Sequence, residues 1–234
     1  MCGLVGLVHL DGSPVKIESV ERARRCIAHR GPDSFGNWVE GSIGLGHNRL
    51  SIIDLSDNAS QPFRSATERF VLAYNGEIYN FGSLRSELLS RGCIFKSASD
   101  TEVLLQSIVI WGVQAIQRFN GMFAFALWDR QEKRLLLARD RYGIKPLYIG
   151  VQGNTFAFAS ESKAINAISE FNSKIDPAGL LEYFTFQNFF SNATLHKDIT
   201  IFPPGHYGWL DLKQKSPKLI LTKYWEFDFA NQKN

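Results

Sequence analysis

Residues Met122–Arg139 read MFAFALWDRQEKRLLLAR: two apolar runs, Met122–Trp128 and Arg134–Arg139, separated by the polar stretch Asp129-Arg130-Gln131-Glu132-Lys133. Each run has strand length, and the polar stretch has turn composition, so the segment predicts an antiparallel hairpin. The same signature recurs further on. Leu147–Val151 and Thr155–Ala159 flank Gln152-Gly153-Asn154, and Gly208–Leu212 and Leu219–Trp225 flank the polar Lys213–Lys218. Working toward the N-terminus, Arg69–Asn75 reads as a strand ending at Gly76. Ser42–Asp54 alternates Ile43, Leu45, His47 and Arg49, and Leu4–Leu10 is a short apolar strand.

Helices are fewer. Ile17–His29 is amphipathic and stopped by Gly31-Pro32. Asn80–Arg91 has Asn80 at the N-cap and Gly92 at C′. Thr101–Trp111 ends at Gly112, with a short helix Val113–Phe119 behind it. Asp176–Phe184 opens with an N-cap aspartate and Pro177 at N1. Hairpins with grouped helices, rather than alternating strand–helix units, predict an α+β layered fold. No repeat or linker divides the chain. It reads as one domain whose loose parts are Lys213–Lys218 and the tail Ala230–Asn234.

The composition excludes several classes of function. The 234 residues are 44% hydrophobic, 13% aromatic and 21% charged, which rules out a disordered or collagen-like chain. Net charge is only +3 and no long basic run occurs, so neither nucleic acid nor an anionic membrane is the expected partner. No stretch approaches the ~20 apolar residues of a membrane span. The apolar start lacks the basic region of a signal peptide. Three cysteines, Cys2, Cys26 and Cys93, are too few for a disulfide framework and point to a reducing, cytoplasmic setting.

Cys2 carries the most chemistry. If Met1 is removed, one residue holds both a thiol and a free α-amine. The amine titrates at about 7.7–8.0 and the thiol at about 8.5, so the amine can serve as base while the sulfur attacks. Alone, a cysteine at position two is more often incidental. Arg49 is either a solvated side chain or a buried carboxylate clamp. Asn75-Gly76 is either a plain turn or an oxyanion site made by an amide side chain and a neighbouring N–H. Asp100 is either a helix N-cap or a site carboxylate.

Taken together these segments resemble the glutaminase domain of class II glutamine amidotransferases, the N-terminal-nucleophile type. The resemblance is closest to the N-terminal domain of glutamine-hydrolysing asparagine synthetases. It is carried by Cys2-Gly3, His29–Asp33, Arg49–Ile53, Gln61-Pro62, Asn75–Asn80, Ser99–Glu102, Gly121–Asp129, Ala138–Gly150, Ala159-Ser160-Glu161 and Pro203-Pro204-Gly205, in order over about the first 210 residues. The resemblance implies a four-layer αββα sandwich, two antiparallel sheets between helical layers. Cys2 becomes the nucleophile toward the side-chain amide of L-glutamine, with the Asn75 side chain and the Gly76 N–H as oxyanion hole. Arg49 matches the group that grips the substrate carboxylate. Glu77 and Asp100 match those around its ammonium, and Arg49, Leu50, Ser51, Ile52 and Ile53 line the pocket. These residue types suit a zwitterion, whose head needs a fixed cation and carboxylates and whose amide end needs a nucleophile and donors.

The resemblance also implies domain limits: 1–212 for the amidotransferase unit, and 213–234 leading toward a synthetase domain. The Ser-Gly-Gly-x-Asp-Ser loop of such a domain does not occur in this sequence, and neither does a Walker-type loop. ATP and Mg²⁺ are therefore expected only with that other half, and no cofactor with this chain. Three explanations fit: a fragment, a free-standing subunit delivering ammonia to a synthetase, or a domain kept to bind glutamine without catalysis. A second copy of the chain is a further candidate partner.

The remaining features read as structural. The five histidines have no metal spacing, so no metal site is expected. Cys26 reads as core, His29 as structural, Cys93 as buried and Glu21–Arg25 as a solvated helix face. The aromatic run Tyr183–Phe190 reads as core or as a docking face.

Overall fold

Within the strand Gly3–His9, Leu4 and Val8 point to one face and Val5 and Leu7 to the other, and all four are buried. A strand buried on both faces needs a layer on each side. The structure, a computed structural model describing residues 1–228, supplies both. In chain order the elements are β1 (Gly3–His9), α1 (Ile17–Cys26), β2 (Ser34–Glu40), β3 (Ile43–Arg49), β4 (Phe63–Arg64), β5 (Phe70–Ile78), α2 (Phe81–Ser90), α3 (Asp100–Trp111), α4 (Ala115–Arg118), β6 (Gly121–Asp129), β7 (Arg134–Arg139), β8 (Tyr148–Gln152), β9 (Thr155–Ala159), α5 (Ser162–Asn166), α6 (Pro177–Phe186), β10 (Ile199–Ile201), β11 (His206–Asp211) and β12 (Ile220–Lys223).

The strands form two six-stranded sheets, β10-β8-β9-β1-β3-β2 and β12-β11-β7-β6-β5-β4. Every pairing in them is antiparallel. Three cores separate the layers. Between the sheets, Leu4, Val8 and Leu45 meet Val71, Ala73, Ala124 and Ala126, with Phe156 and Phe158 filling the gap. On the outer face of the β5–β6 sheet, Leu72, Tyr74 and Phe125 pack on Leu84, Leu88 and Leu104 of α2 and α3. On the outer face of the β1–β3 sheet, Val5, Leu7 and Ala157 pack on Val20, Ile27 and Ile165, from α1, the turn after it and α5. The result is the α+β sandwich of four layers that the resemblance implied.

The three predicted hairpins form as β6–β7, β8–β9 and β11–β12. Other expectations change. The strand read over 42–54 stops at Arg49, and residues 50–54 form a loop. The turn reading of Asn75-Gly76 is overturned, because β5 runs through both to Ile78. β2 was not read at all; it is an edge strand, half-buried, with Gly36 and Asn37 inside it. Helix α1 stops at Cys26, and a separate 3-10 turn covers Ala28–Arg30.

Asn80 sits at the N-cap of α2 without capping it; its side chain instead donates to Arg118 O (3.0 Å) and accepts from Asn120 N (2.9 Å). Ser99, not Asp100, caps α3, whereas Asp176 and Pro177 open α6 as predicted. Cys26 is exposed rather than core, and Cys93 is only half-buried. Within the supposedly solvated Glu21–Arg25 face, Arg24 is buried; it donates to Asn37 (3.0 Å) and Asn48 (2.8 Å) and lies over the Phe35 ring. The core reading of Tyr183–Phe190 fails, since Phe184, Phe186 and Phe190 are exposed. The predicted tail Ala230–Asn234 lies outside the described residues. Among the described residues no helix is long and apolar enough to cross a membrane.

Candidate active site

Antiparallel pairing sets the first half of the site. Gly3 stands opposite Asn48, so the start of β1 lies beside the end of β3, and Cys2 meets Leu50. The Leu50 N–H donates to Cys2 Sγ at 3.3 Å, and the thiol faces Leu50 O at 3.5 Å. The turn after α1 clamps the same point. Arg30 Nε donates to Cys2 O (3.0 Å) and Nη1 to Glu161 (3.0 Å). Gly31 makes this approach feasible, because a Cβ there would lie 2.4–2.5 Å from the Asn48 and Arg49 backbone. Burial pushes the Cys2 thiol above its ordinary value, against the lowering effects of the Leu50 hydrogen bond, the N-terminal charge, Arg49 and Lys145. The sulfur is therefore a protonated thiol at neutral pH and needs a base.

Arg49 is buried, which settles its alternative against a solvated side chain. Its guanidinium donates to Ser56 O (2.9 Å) and to Asp54 O, fastening the loop that follows β3. Asp54 in turn accepts from Ala98 N (2.8 Å), which ties that loop to the segment entering α3.

The second half comes from β5 in the other sheet. Asn75 is on the same face as Val71 and Ala73, toward β1, and its Nδ2 is buried with no partner. Gly76 stands opposite Phe123, but Phe123 turns away: its N–H donates to Asp140 and its carbonyl accepts from Asp140 N. The Gly76 N–H therefore points to the other edge of β5. On that edge Gln61 Oε1 accepts the Tyr74 N–H (2.6 Å) and Asp100 Oδ2 accepts the Ile78 N–H (3.0 Å). Gly76 lies between them. A side chain is excluded there, since a Cβ would come within 2.5 Å of Met122 O and 2.6 Å of the Tyr74 ring.

Asp100, the first residue of α3, also accepts from the Tyr74 hydroxyl (2.7 Å). Burial raises its carboxyl above the usual range, and these two donors oppose the rise. Behind the site, buried His47 donates from Nε2 to Tyr74 O (2.9 Å), and burial lowers its pKa to about 4, so it is neutral.

Cys2, Arg49, Leu50, Ile52, Ile53, Asn75, Gly76, Glu77 and Asp100 line a single cavity of about 760 Å³ including its mouth. Ser51 is not part of the lining; its N–H is taken by Asp33 (2.7 Å). Sequence reasoning missed Tyr74, Met122 and Lys145, which also line it. Lys145 is delivered by a loop built on two buried groups. Asp140 accepts from Tyr142, Ile144, Lys145 and Phe123 N–H groups, and Arg139 donates to Gly143, Lys145 and Phe202 carbonyls. The signal was present in Arg139-Asp140, where two charged residues follow an apolar strand. Among the described residues no group of three or more His, Cys, Asp or Glu side chains could hold a metal ion.

A pocket that brings together a thiol, an unpartnered amide donor and side chains of both charge signs can bind a small zwitterion and attack its amide. Residues 1–225 match the family described as the glutamine amidotransferase domain. The putative asparagine synthetase [glutamine-hydrolyzing] of Mycobacterium tuberculosis is 37% identical, over 98% of this chain and 38% of its own length. Asparagine synthetase [glutamine-hydrolyzing] 3 of Bacillus subtilis is 35% identical, over 97% and 37%. Among solved structures, glutamine phosphoribosylpyrophosphate amidotransferase from B. subtilis superposes with a TM-score of 0.70, covering 96% of this chain and 49% of that one. At 20% identity that likeness is one of fold. The chain thus spans under two-fifths of the length of these curated relatives.

Proposed function

Because this chain belongs to the glutamine amidotransferase domain family, we propose that its cavity hydrolyses L-glutamine through Cys2. Support comes above all from one observation: the Cys2 sulfur shares the cavity with the unpartnered Asn75 Nδ2 and the open Gly76 N–H. With Met1 removed, the Cys2 nitrogen takes the thiol proton and the sulfur adds to the side-chain amide carbon of glutamine. The carbonyl oxygen becomes an oxyanion held by Asn75 and Gly76. The nitrogen returns the proton to the leaving amine, ammonia departs, and a γ-glutamyl thioester remains. Water, deprotonated by the same nitrogen, then releases glutamate. Arg49 faces the substrate carboxylate, and Glu77 and Asp100 its ammonium.

The nitrogen acceptor belongs to the half of the relatives that this chain does not span. We propose a synthetase domain or subunit, as the relatives' names suggest, and propose further that it forms an amide at the expense of ATP. The cytoplasm is the proposed compartment, in keeping with three unpaired cysteines.

The test is glutamate release from L-glutamine by protein whose mature N-terminus is verified as Cys2 by intact mass. Wild type should turn over, whereas Cys2→Ala and protein retaining Met1 should not. Glutamine binding by calorimetry without glutamate release from the wild type would instead favour the non-catalytic module.

A further inference from the structure

Lys145 has no place in the machinery described so far, yet it lines the same cavity as Cys2. Its stem is buried, while its ammonium opens on the cavity and has neither a hydrogen bond nor an ion pair among the described residues. A lysine whose stem is buried and whose ammonium reaches the cavity presents its charge to the cavity rather than to bulk solvent. The loop is strongly specified: Asp140 and Arg139 fix its backbone through five of the hydrogen bonds described above and anchor it to Phe123 and Phe202 through two more.

Most of the other charges around Cys2 have hydrogen-bonded partners in the resting protein. Arg30 is paired with Glu161, and Arg49 spends donors on Ser56 and Asp54 carbonyls. Asp100 is engaged by the Tyr74 hydroxyl and the Ile78 N–H, and Asp140 by backbone N–H groups. His47 is neutral. Glu77 and the N-terminal amine complete the set facing the sulfur and the lysine.

We propose that Lys145 is a positioning residue for the nucleophile, a cation with no hydrogen-bonded partner of its own that favours proton loss from the Cys2 sulfur and from the Cys2 nitrogen alike. Both effects have the same sign. A thiolate is attracted to the cation, and an α-ammonium is repelled by it, so the sulfur is readier to attack and the nitrogen readier to accept. Burial works against the charge of Lys145, since desolvation lowers its own pKa, and the charge of Cys2 opposes that fall.

This inference rests on Cys2 being the nucleophile, but its test needs no turnover. The rate of Cys2 alkylation by iodoacetamide is followed against pH by peptide mass spectrometry in wild type, Lys145→Met and Lys145→Arg. Cys26, which is exposed, serves as internal control in the same samples. Removing the charge should raise the Cys2 midpoint by about one pH unit, roughly tenfold slower alkylation at pH 7, while arginine keeps it in place. Cys26 should not move. An unchanged Cys2 midpoint in Lys145→Met would overturn the proposal. So would an arginine variant displaced as far as the methionine one, the result expected if Lys145 were instead the base. Should Lys145→Met melt lower than wild type, Lys145→Gln is read in its place against the same outcomes. Absent glutamate release with the Lys145 effect intact would sink the glutaminase reading and leave this one standing.

Discussion

Replacing Asn75 with alanine separates catalysis from folding, because the side chain's Nδ2 is buried and bonds to nothing in the resting protein. A buried donor without a partner costs about 1–3 kcal/mol. Truncation removes that cost but opens a small cavity and loses contacts worth a similar amount. The two nearly cancel, so the unfolding free energy should change by less than about 1 kcal/mol, within about 2–4 °C in Tm for a chain of this size. In the transition state the same N–H meets an oxyanion, and losing such a donor typically costs about 100–1,000-fold in kcat, or roughly 2.7–4 kcal/mol. KM should hardly move, since the contact forms only as charge develops. The assay is steady-state glutamate release beside a thermal melt. Unchanged kcat refutes the oxyanion role. A Tm fall of more than about 10 °C would show that Asn75 is a folding residue instead.

Three further outcomes follow from the same geometry. Gly76→Ala places a Cβ against Met122 O and the Phe123 Cα, which should destabilise by about 1–3 kcal/mol and abolish turnover; denaturant unfolding and glutamate release check both. His47, with its pKa lowered to about 4 by burial, binds its proton in the unfolded chain first, so its contribution is full above about pH 6.5 and is lost as pH falls toward 4. Between pH 7 and pH 5 that is about 2 kcal/mol, which should vanish from the difference between wild type and His47→Gln in urea titrations. Asp140→Asn keeps the shape but trades an acceptor oxygen for an amide donor, leaving buried N–H groups among Phe123, Tyr142, Ile144 and Lys145 unmet. It should cost about 2–5 kcal/mol in urea unfolding, and an unchanged midpoint would contradict the loop's construction.

Which parts of this were legible depends on how local their causes are. The hairpins β6–β7, β8–β9 and β11–β12 could be read directly because turn and strands are contiguous and the pairing partner is the next segment. β2 was invisible because an edge strand with half-exposed residues has little apolar alternation to show. The Asn75-Gly76 pair favours a turn on its own. It stays in a strand because Gln61 and Asp100, remote in sequence, accept the Tyr74 and Ile78 N–H groups along an edge that no further strand covers. Arg49 was correctly left open between two readings, since its decision lies in carbonyls of a loop that pattern alone extends as strand. Lys145 was missed for a similar reason: its position is dictated by the hydrogen-bonding capacity of Asp140, which no periodicity reports.

With Lys145 assigned above as a cation, the base is found by elimination among the imidazoles and titratable oxygens near the cavity. No imidazole lines it, and His47 lies behind Tyr74 with its Nε2 proton committed to a carbonyl. The titratable oxygens in the wall are the carboxylates Asp54, Glu77 and Asp100 and the Tyr74 hydroxyl. Tyr74 is a proton donor to Asp100 and is held well above its ordinary value by burial, so it accepts nothing at neutral pH. A free carboxylate, at about 4, is roughly four to five pH units weaker than the thiol it would deprotonate, a penalty of about 6 kcal/mol before any chemistry begins; Asp100, which burial raises, is instead engaged by the Tyr74 hydroxyl and the Ile78 N–H. An α-amine at about 7.7–8.0 is within about one unit of an ordinary thiol, about 1 kcal/mol. Burial of Cys2 widens both gaps, and the carboxylates start from the worse position. The Cys2 nitrogen is an amine, and so a base, only if no residue precedes Cys2; behind Met1 it is a non-basic peptide nitrogen. The proposed mechanism therefore requires Met1 to leave, because in it the sulfur and its base are carried by one residue.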